Sequence, residues 1–297
     1  MNPGGGNRCH GGGCLLTIII AAAHRAVELE KLLESLDALQ LADDVEVIVV
    51  DQNADDRLTR VIQRFTGRFN LRALRIDEYH ANKARNYGAS QANGEWLAFA
   101  DDDCTYLENT IDVMKQVIRT YNPHIIIGSV WDHDGLYLCG ARRGHGRLHS
   151  YNLYANMSET ALLIRRSLFH ELGGFAPDFG PGGKYYAGEG IELCYRALKH
   201  KAGEAVSLLY HDDIRVKHPR KIPPYTDAAI HKEVLYSYGV GTVFGNYRTI
   251  WSLTHILKYI VKFLIKLVVF KPALRRYAVA CFKGFMAGVL KKKVPSR

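Results

Sequence analysis

Three adjacent aspartates, Asp101, Asp102 and Asp103, follow the apolar run Trp96–Ala100. Like charges this close repel and raise one another's pKa. A divalent cation removes that cost. Hard ions such as Mg2+ and Mn2+ take carboxylate oxygens, share their other positions with phosphate oxygens, and act as Lewis acids on a diphosphate leaving group. The bland alternative is a solvated acidic loop or a cap cluster for a helix near Leu107. A position directly after a buried strand favours the metal. Asp51 closes a second apolar run in the same way. Cys9, His10 and Cys14 have metal-ligand chemistry, but their Gly-rich surroundings read as a leader.

The elements that must place these groups follow from periodicity. Leu15–Ile20, Val45–Val50, Leu71–Ile76 and Trp96–Ala100 are continuous apolar runs, as expected of strands buried on both faces. Between them, Val27–Leu39, Leu58–Phe69 and Lys83–Ala92 carry helical spacing, the last with Asn82 as its expected N-cap. Strand–helix repeats of this length predict an α/β fold with right-handed crossovers and a mainly parallel sheet flanked by helices. Ligands of such sheets sit outside the carboxyl ends of the strands, where Asp51 and Asp101–Asp103 fall. Past residue 125 the alternation stops, and longer loops are expected to carry an acceptor site. The stretch 173–190 holds seven glycines and leads into a helix at Ile191–Leu198.

Charge separates the chain into body and tail. The net charge is +9, yet residues 234–297 hold 12 of the 39 Lys and Arg and no Asp or Glu. The preceding residues therefore carry 27 basic and 30 acidic side chains. That distribution argues against nucleic acid and for an anionic membrane surface. In the tail, Lys258, Lys262 and Lys266 stack on one face of an apolar helix that Pro272 ends, and a second basic helix follows at Ala273–Leu290. Lysines within the run argue against a spanning helix and for one lying in the interface. An ordinary amphipathic helix packed on the body is the alternative. The expected organisation is a disordered leader at 1–13, a catalytic domain at 14–245 divided near residue 125 into nucleotide and acceptor halves, and a membrane-associating tail at 246–297. Six scattered cysteines without a CxxC pair, and no signal peptide, suggest reduced thiols and a cytoplasmic setting on the inner membrane face.

Five segments, in order, resemble the family 2 glycosyltransferases: LLTIIIAAAHR, VEVIVVDQNADD, NKARNYGASQANGEWLAFADDD, LLIRRSLFHELGGFAPDFG and AGEGIELCYR. The resemblance covers roughly Leu15–His218. It implies a GT-A (Rossmann-like) fold, a nucleotide-diphosphate sugar donor, a Mn2+ or Mg2+ cofactor and inversion at the anomeric carbon. By position it implies that Asp51 binds the base or ribose and that Asp101 and Asp102 hold the nucleoside side of the donor. It places Asp103 on the metal and turns Lys83 and Arg85 toward the nucleotide or its diphosphate. Arg25 falls at the arginine of the family's Pro-Thr-Tyr-Asn-Arg, whereas Ala21–Ala23 offer only backbone groups to the donor. His218, in VKHP, falls where relatives often carry a histidine for the metal or diphosphate, with His211 as competitor. Trp131, Tyr185 and Tyr186 are candidates to stack on a sugar, although most such rings are core.

Inversion needs a base for the acceptor hydroxyl. The family's usual aspartate position is Gly190 here, which leaves Glu189 first and Glu192 second. The expected activity is sugar transfer to a lipid-linked or polysaccharide acceptor. The alternative is an impaired, transferase-like protein that binds nucleotide sugar as a membrane partner. A nucleotidyltransferase or dinucleotide dehydrogenase is disfavoured, because no Gly-rich phosphate loop follows the first strand.

Overall fold

The computed structural model describes residues 14–138, 144–200, 205–220, 226–269 and 271–293. The expected leader at 1–13, with Cys9 and His10, lies outside the described residues, as does Cys139. The described cysteines, Cys14, Cys104, Cys194 and Cys281, are buried free thiols.

The first half alternates as its periodicity predicts: β1 (Leu16–Ala22), α1 (Ala26–Ala38), β2 (Val45–Asp51), α2 (Thr59–Phe65), β3 (Leu71–Arg75), α3 (Ala81–Ser90) and β4 (Trp96–Asp101). These strands pair in parallel in the order β3-β2-β1-β4. The apolar runs of β1 and β2 are buried on both faces, in two clusters on opposite sides of the sheet. The register brings the strand ends level. Ala21 lies opposite Asp101, and Ala22 lies opposite Asp51. Two acidic groups are thus carried to one rim by backbone pairing alone.

Two local expectations are corrected. Helix α3 starts earlier than expected and is capped by His80, whose Nδ1 accepts from the Lys83 N–H at 3.3 Å. Asn82 lies buried within the helix instead, and its amide donates to the carbonyls of Ala176 and Phe179. Helix α2 ends at Phe65, four residues short of the expected end, and Gly67 follows at φ +84°.

The second half, expected to be loop-rich, also builds sheet. After β5 (Thr105–Tyr106) and α4 (Thr110–Tyr121) come β6 (Ile125–Trp131), β7 (His145–Leu148), α5 (Leu153–Asn156), a 3-10 turn (Glu159–Ala161), β8 (Leu162–Arg165), α6 (Arg166–Glu171), α7 (Glu189–Lys199) and β9 (Leu208–Lys217). They extend the same sheet as β4-β8-β6-β9-β5, with β7 against β9. β8 is antiparallel to both of its neighbours, whereas β6 and β9 are parallel. These strands are short or separated by glycine-rich loops, so they carry little periodic signal.

The tail comprises α8 (Asp227–Asn246), α9 (Ile250–Val269) and α10 (Pro272–Val289). Glycines let α8 and α10 pack backbone to backbone. A Cβ on Gly241 would lie 2.1 Å from the Phe285 carbonyl oxygen, and one on Gly288 would lie 2.2 Å from that of Tyr238. Phe285 is fully buried in the core, so α10 belongs to the folded body. Helix α9 is held by Tyr259 stacked on Phe285 and Phe263 stacked on Phe282, each with ring centroids 3.9 Å apart. Its other face leaves Leu253, Leu257, Val261, Leu264 and Val268 exposed beside Lys258 and Lys262. Because the contact at Gly241 is with backbone, Gly241→Val is expected to cost about 1–3 kcal/mol by overpacking. It should also open α10 to limited proteolysis. An unchanged denaturant midpoint would argue against this docking.

Candidate active site

A cavity of about 580 Å3 opens at the carboxyl ends of β1 and β4, within the size range of ligand pockets. One wall carries Ala21, Arg25 and Asp101–Asp103, and another carries Glu159, Gly188 and Glu189. His218 and Arg220 close a third side. A second cleft, of about 650 Å3, lies beside α4 and β9 and is lined by His145, His211 and Asp213. It lacks the convergent carboxylates of the first.

The rim is built from the β1–α1 loop and the turn after β4. Asp102 is buried and holds that loop: it accepts the Ala23 N–H at 2.9 Å and Arg25 Nη1 at 2.8 Å. Burial pushes its carboxyl up to about 6, against the pull of Ala23 and Arg25. The same Arg25 Nη1 lies 2.6 Å from Asp103 Oδ2. Asp51 closes β2 but faces its own turn, accepting both the backbone and side-chain N–H of Asn53. Its neighbour Gln52 lines the cavity in its place.

Among the described residues, Asp101, Asp103 and His218 form the one group of three or more His, Cys, Asp or Glu side chains close enough to share a metal, their ligand atoms within 4.8 Å of one another. Asp103 Oδ1 is buried without a hydrogen-bond partner and lies 3.3 Å from His218 Nε2, an ion-pair distance without hydrogen-bond alignment. His218 Nδ1 faces the Pro219 carbonyl at 2.9 Å, which only accepts, so that nitrogen carries a proton and Nε2 is the atom that could take a metal. Burial lowers the affinity of His218 for its proton, but Asp103 and Asp101 outweigh this and hold its pKa above the usual histidine value. Burial raises the Asp103 carboxyl, and His218 and Arg25 bring it net below the usual range. Two carboxylates and one imidazole, one oxygen unpartnered, fit a hard or borderline divalent cation.

Arg85 ties the two main walls together. It is 4% exposed, with Nη2 2.8 Å from Asp101 Oδ1 and Nη1 3.1 Å from both Glu189 Oε1 and Asn82 Oδ1. Burial disfavours its charge, and Asp101 and Glu189 overcome this to hold its pKa above the usual value. Its position over the rim depends on Gly88 one turn later, where a Cβ would meet Ile19 Cγ2 at 2.7 Å. Lys83 points elsewhere: it is exposed, pairs with Glu78 at 2.6 Å and does not line the cavity.

On the opposite wall, Gly188 at φ +98° starts α7 and sets Glu189 as its first residue. Glu192 faces away, paired with Arg196 at 2.6 Å and accepting from the Tyr247 hydroxyl at 2.8 Å. Glu159, which the sequence did not single out, accepts the Gly190 N–H at 3.0 Å. Burial and the neighbouring Glu189 charge push its carboxyl up to about 7. The aromatic candidates pack elsewhere. Trp131 donates to Ser129 and lies edge-on to Tyr137, Tyr185 packs on Phe179, and Tyr186 packs on Tyr236, whose ring reaches the cavity. His211 stacks on His145 in the second cleft, leaving His218 at the acidic cluster.

Comparison with known proteins gives the same outline. The model of "Glycosyl transferase family 2" matches residues 17–176. An uncharacterized glycosyltransferase of Haemophilus influenzae is 35% identical over 112 residues, covering 37% of this chain and 36% of that protein. The GalNAc(5)-diNAcBac-PP-undecaprenol beta-1,3-glucosyltransferase of Campylobacter jejuni is 27% identical over 123 residues, covering 40% of each. The chain thus spans well under half of the curated relatives it matches. Among solved structures, S. aureus TarS 1-349 superposes with a TM-score of 0.64 at 14% identity, over 93% of this chain and 81% of that one. The mannosyltransferase PcManGT from Pyrobaculum calidifontis, in complex with GDP-Man and Mn2+, gives 0.64 at 12% identity, over 94% and 88%. These likenesses establish the GT-A fold.

Arg85→Met strands the buried Glu189 carboxylate beside the partly exposed Asp101 and is expected to cost about 3 kcal/mol in denaturant unfolding. Adding Glu189→Gln should recover part of that loss. Strict additivity of the two changes would contradict the bridge.

Proposed function

The chain belongs to glycosyl transferase family 2, and from that membership we propose that it is a metal-dependent, inverting glycosyltransferase using a nucleotide-diphosphate sugar. The observation that carries this is the Asp101–Asp103–His218 cluster, opening into a cavity whose opposite wall bears carboxylates. Asp101, Asp103 and His218 would hold Mn2+ or Mg2+, which supplies charge neutralisation on the diphosphate leaving group. The backbone at Ala21–Ala23 and the side chain of Arg25 would position the nucleotide, with Asp102 fixing both. Arg85 holds Asp101 and Glu189 in place from beneath. PcManGT, solved with GDP-Man and Mn2+, and TarS, solved with UDP-GlcNAc, support this donor class.

The acceptor on this reading is lipid-linked or a polysaccharide, met at the cytoplasmic membrane face. The exposed apolar face of α9, bordered by Lys258, Lys262 and Lys266, suits an anionic lipid interface. Among the described residues, no helix is long and apolar enough to cross a membrane. The C. jejuni relative, named for a glycan on PP-undecaprenol, supports the same acceptor class.

Two measurements test this. Calorimetry with UDP or GDP and Mn2+ should show binding that needs the metal and that Asp103→Ala weakens at least tenfold. Metal-independent binding that survives Asp103→Ala would refute the metal site, and binding without sugar transfer to water or any acceptor would leave a non-catalytic protein. In flotation with phosphatidylglycerol vesicles, replacing Lys258, Lys262 and Lys266 together by Glu should reduce recovery of the full chain more than tenfold, since each basic residue contributes about 1 kcal/mol near an anionic surface. Unchanged recovery would remove the membrane reading.

A further inference from the structure

Gly190 takes the place where the family pattern has an aspartate, and the structure shows what fills the space. A Cβ on Gly190 would lie 2.7 Å from Glu159 Oε1 and 2.8 Å from Met157 Sδ. Glu159 reaches this point from the 3-10 turn before β8, 31 residues away in sequence, and takes the Gly190 N–H. It also lines the cavity. The chain has not simply lost a carboxylate beside Glu189; another element delivers one to the same volume.

We propose that Glu159 is the catalytic base that deprotonates the acceptor hydroxyl. This rests on the glycosyl-transfer reading above and names the residue that reading lacked. The competing carboxylates are committed. Glu189 holds Arg85, and taking a proton would break the pair that also anchors Asp101. Glu192 is bound by Arg196 and Tyr247. Glu159 accepts the Gly190 N–H at Oε1, at the start of α7, where the helix dipole orients it, and among the described residues it forms no ion pair of its own. In the step it would serve, the acceptor oxygen bonds to the anomeric carbon, and the bond from that carbon to the diphosphate oxygen breaks. The electron pair leaves with the nucleoside diphosphate, and the hydroxyl proton passes to the Glu159 carboxylate.

The groups acting on Glu159 come from two helices. Glu189 and the Gly190 N–H belong to α7, as does the buried Cys194 thiol, and Arg85 belongs to α3. Burial and Glu189 favour the protonated form; the backbone N–H of Glu159 itself, Arg85 and the Gly190 N–H oppose them, with the net push upward. A base so poised near neutrality is well matched to proton transfer.

The test is steady-state transfer by the full chain with Mn2+, with UDP-GlcNAc and GDP-Man as the donor probes. Glu159→Gln keeps an oxygen to accept the Gly190 N–H. It should leave nucleotide–Mn2+ affinity within about twofold while lowering kcat at least 100-fold. The wild type is expected to show a rise of kcat with pH around neutrality, and Glu159→Gln should abolish it. Glu159→Ala combined with Gly190→Asp returns the carboxylate to the family's position in the space that Glu159 leaves, with the flexible Met157 side chain shifting aside, and should recover at least tenfold over Glu159→Ala alone. If Glu159→Gln keeps wild-type kcat and pH profile, or if the double variant recovers nothing over Glu159→Ala, Glu159 is a helix cap and not the base. If the wild type binds donor but never transfers sugar, the glycosyl-transfer reading fails and the base assignment with it.

Discussion

The buried guanidinium of Arg85 is the interaction on which the rest of the site depends. It lies between a carboxylate at the end of a parallel strand and another at the start of α7, and so fixes the width of the cavity. A desolvated arginine is tolerable only because its partners are well placed, and leaving either one alone would be costly. The packing around it follows. Gly88 lets α3 press onto β1, Asn82 carries the glycine-rich loop through two carbonyls, and Phe175 lies beneath the guanidinium.

From that bridge the two halves of the chain divide the chemistry. The parallel half supplies Asp101–Asp103 by strand register and eases their crowding with Arg25 and the Ala23 N–H, while His218 reaches them from the end of β9. The mixed half supplies Glu159 and Glu189 on elements whose placement depends on glycines. The helical tail closes the back of α7: Gly239 of α8 packs on Ala187, where a Cβ would lie 2.2 Å from that residue's carbonyl oxygen. The helix that exposes an apolar, basic face is therefore mounted on the same body that holds the Glu159–Glu189 wall.

Much of this was legible in the sequence where it was periodic or local. The four parallel strands showed as apolar runs, and Asp101–Asp103 fell at a strand end. The family resemblance, though broken at Ala21–Ala23 and Gly190, named the fold. What was hidden depended on distant contacts. His80 replaced Asn82 as cap because Asn82 is drawn to carbonyls more than ninety residues away. Lys83 and Glu192, equal to their neighbours by sequence position, turn to Glu78 and Arg196. Gly241 and Gly245 of α8 serve the close approach of α10, a contact that no local pattern shows. Glu159 carried no local signal at all. The absence of a side chain at 190 was visible, but its cause was another carboxylate folded into the space.

The central claim, that Asp101, Asp103 and His218 form the metal seat of a donor site, is tested most directly by anomalous diffraction from crystals grown with Mn2+ and a nucleoside diphosphate. The expected result is a single manganese peak at coordination distance from Asp101, Asp103 and His218 Nε2, in contact with the diphosphate, with Arg85 still bridging Asp101 and Glu189. Manganese held instead between Glu159 and Glu189, or a bound nucleotide with no metal beside it, would contradict it.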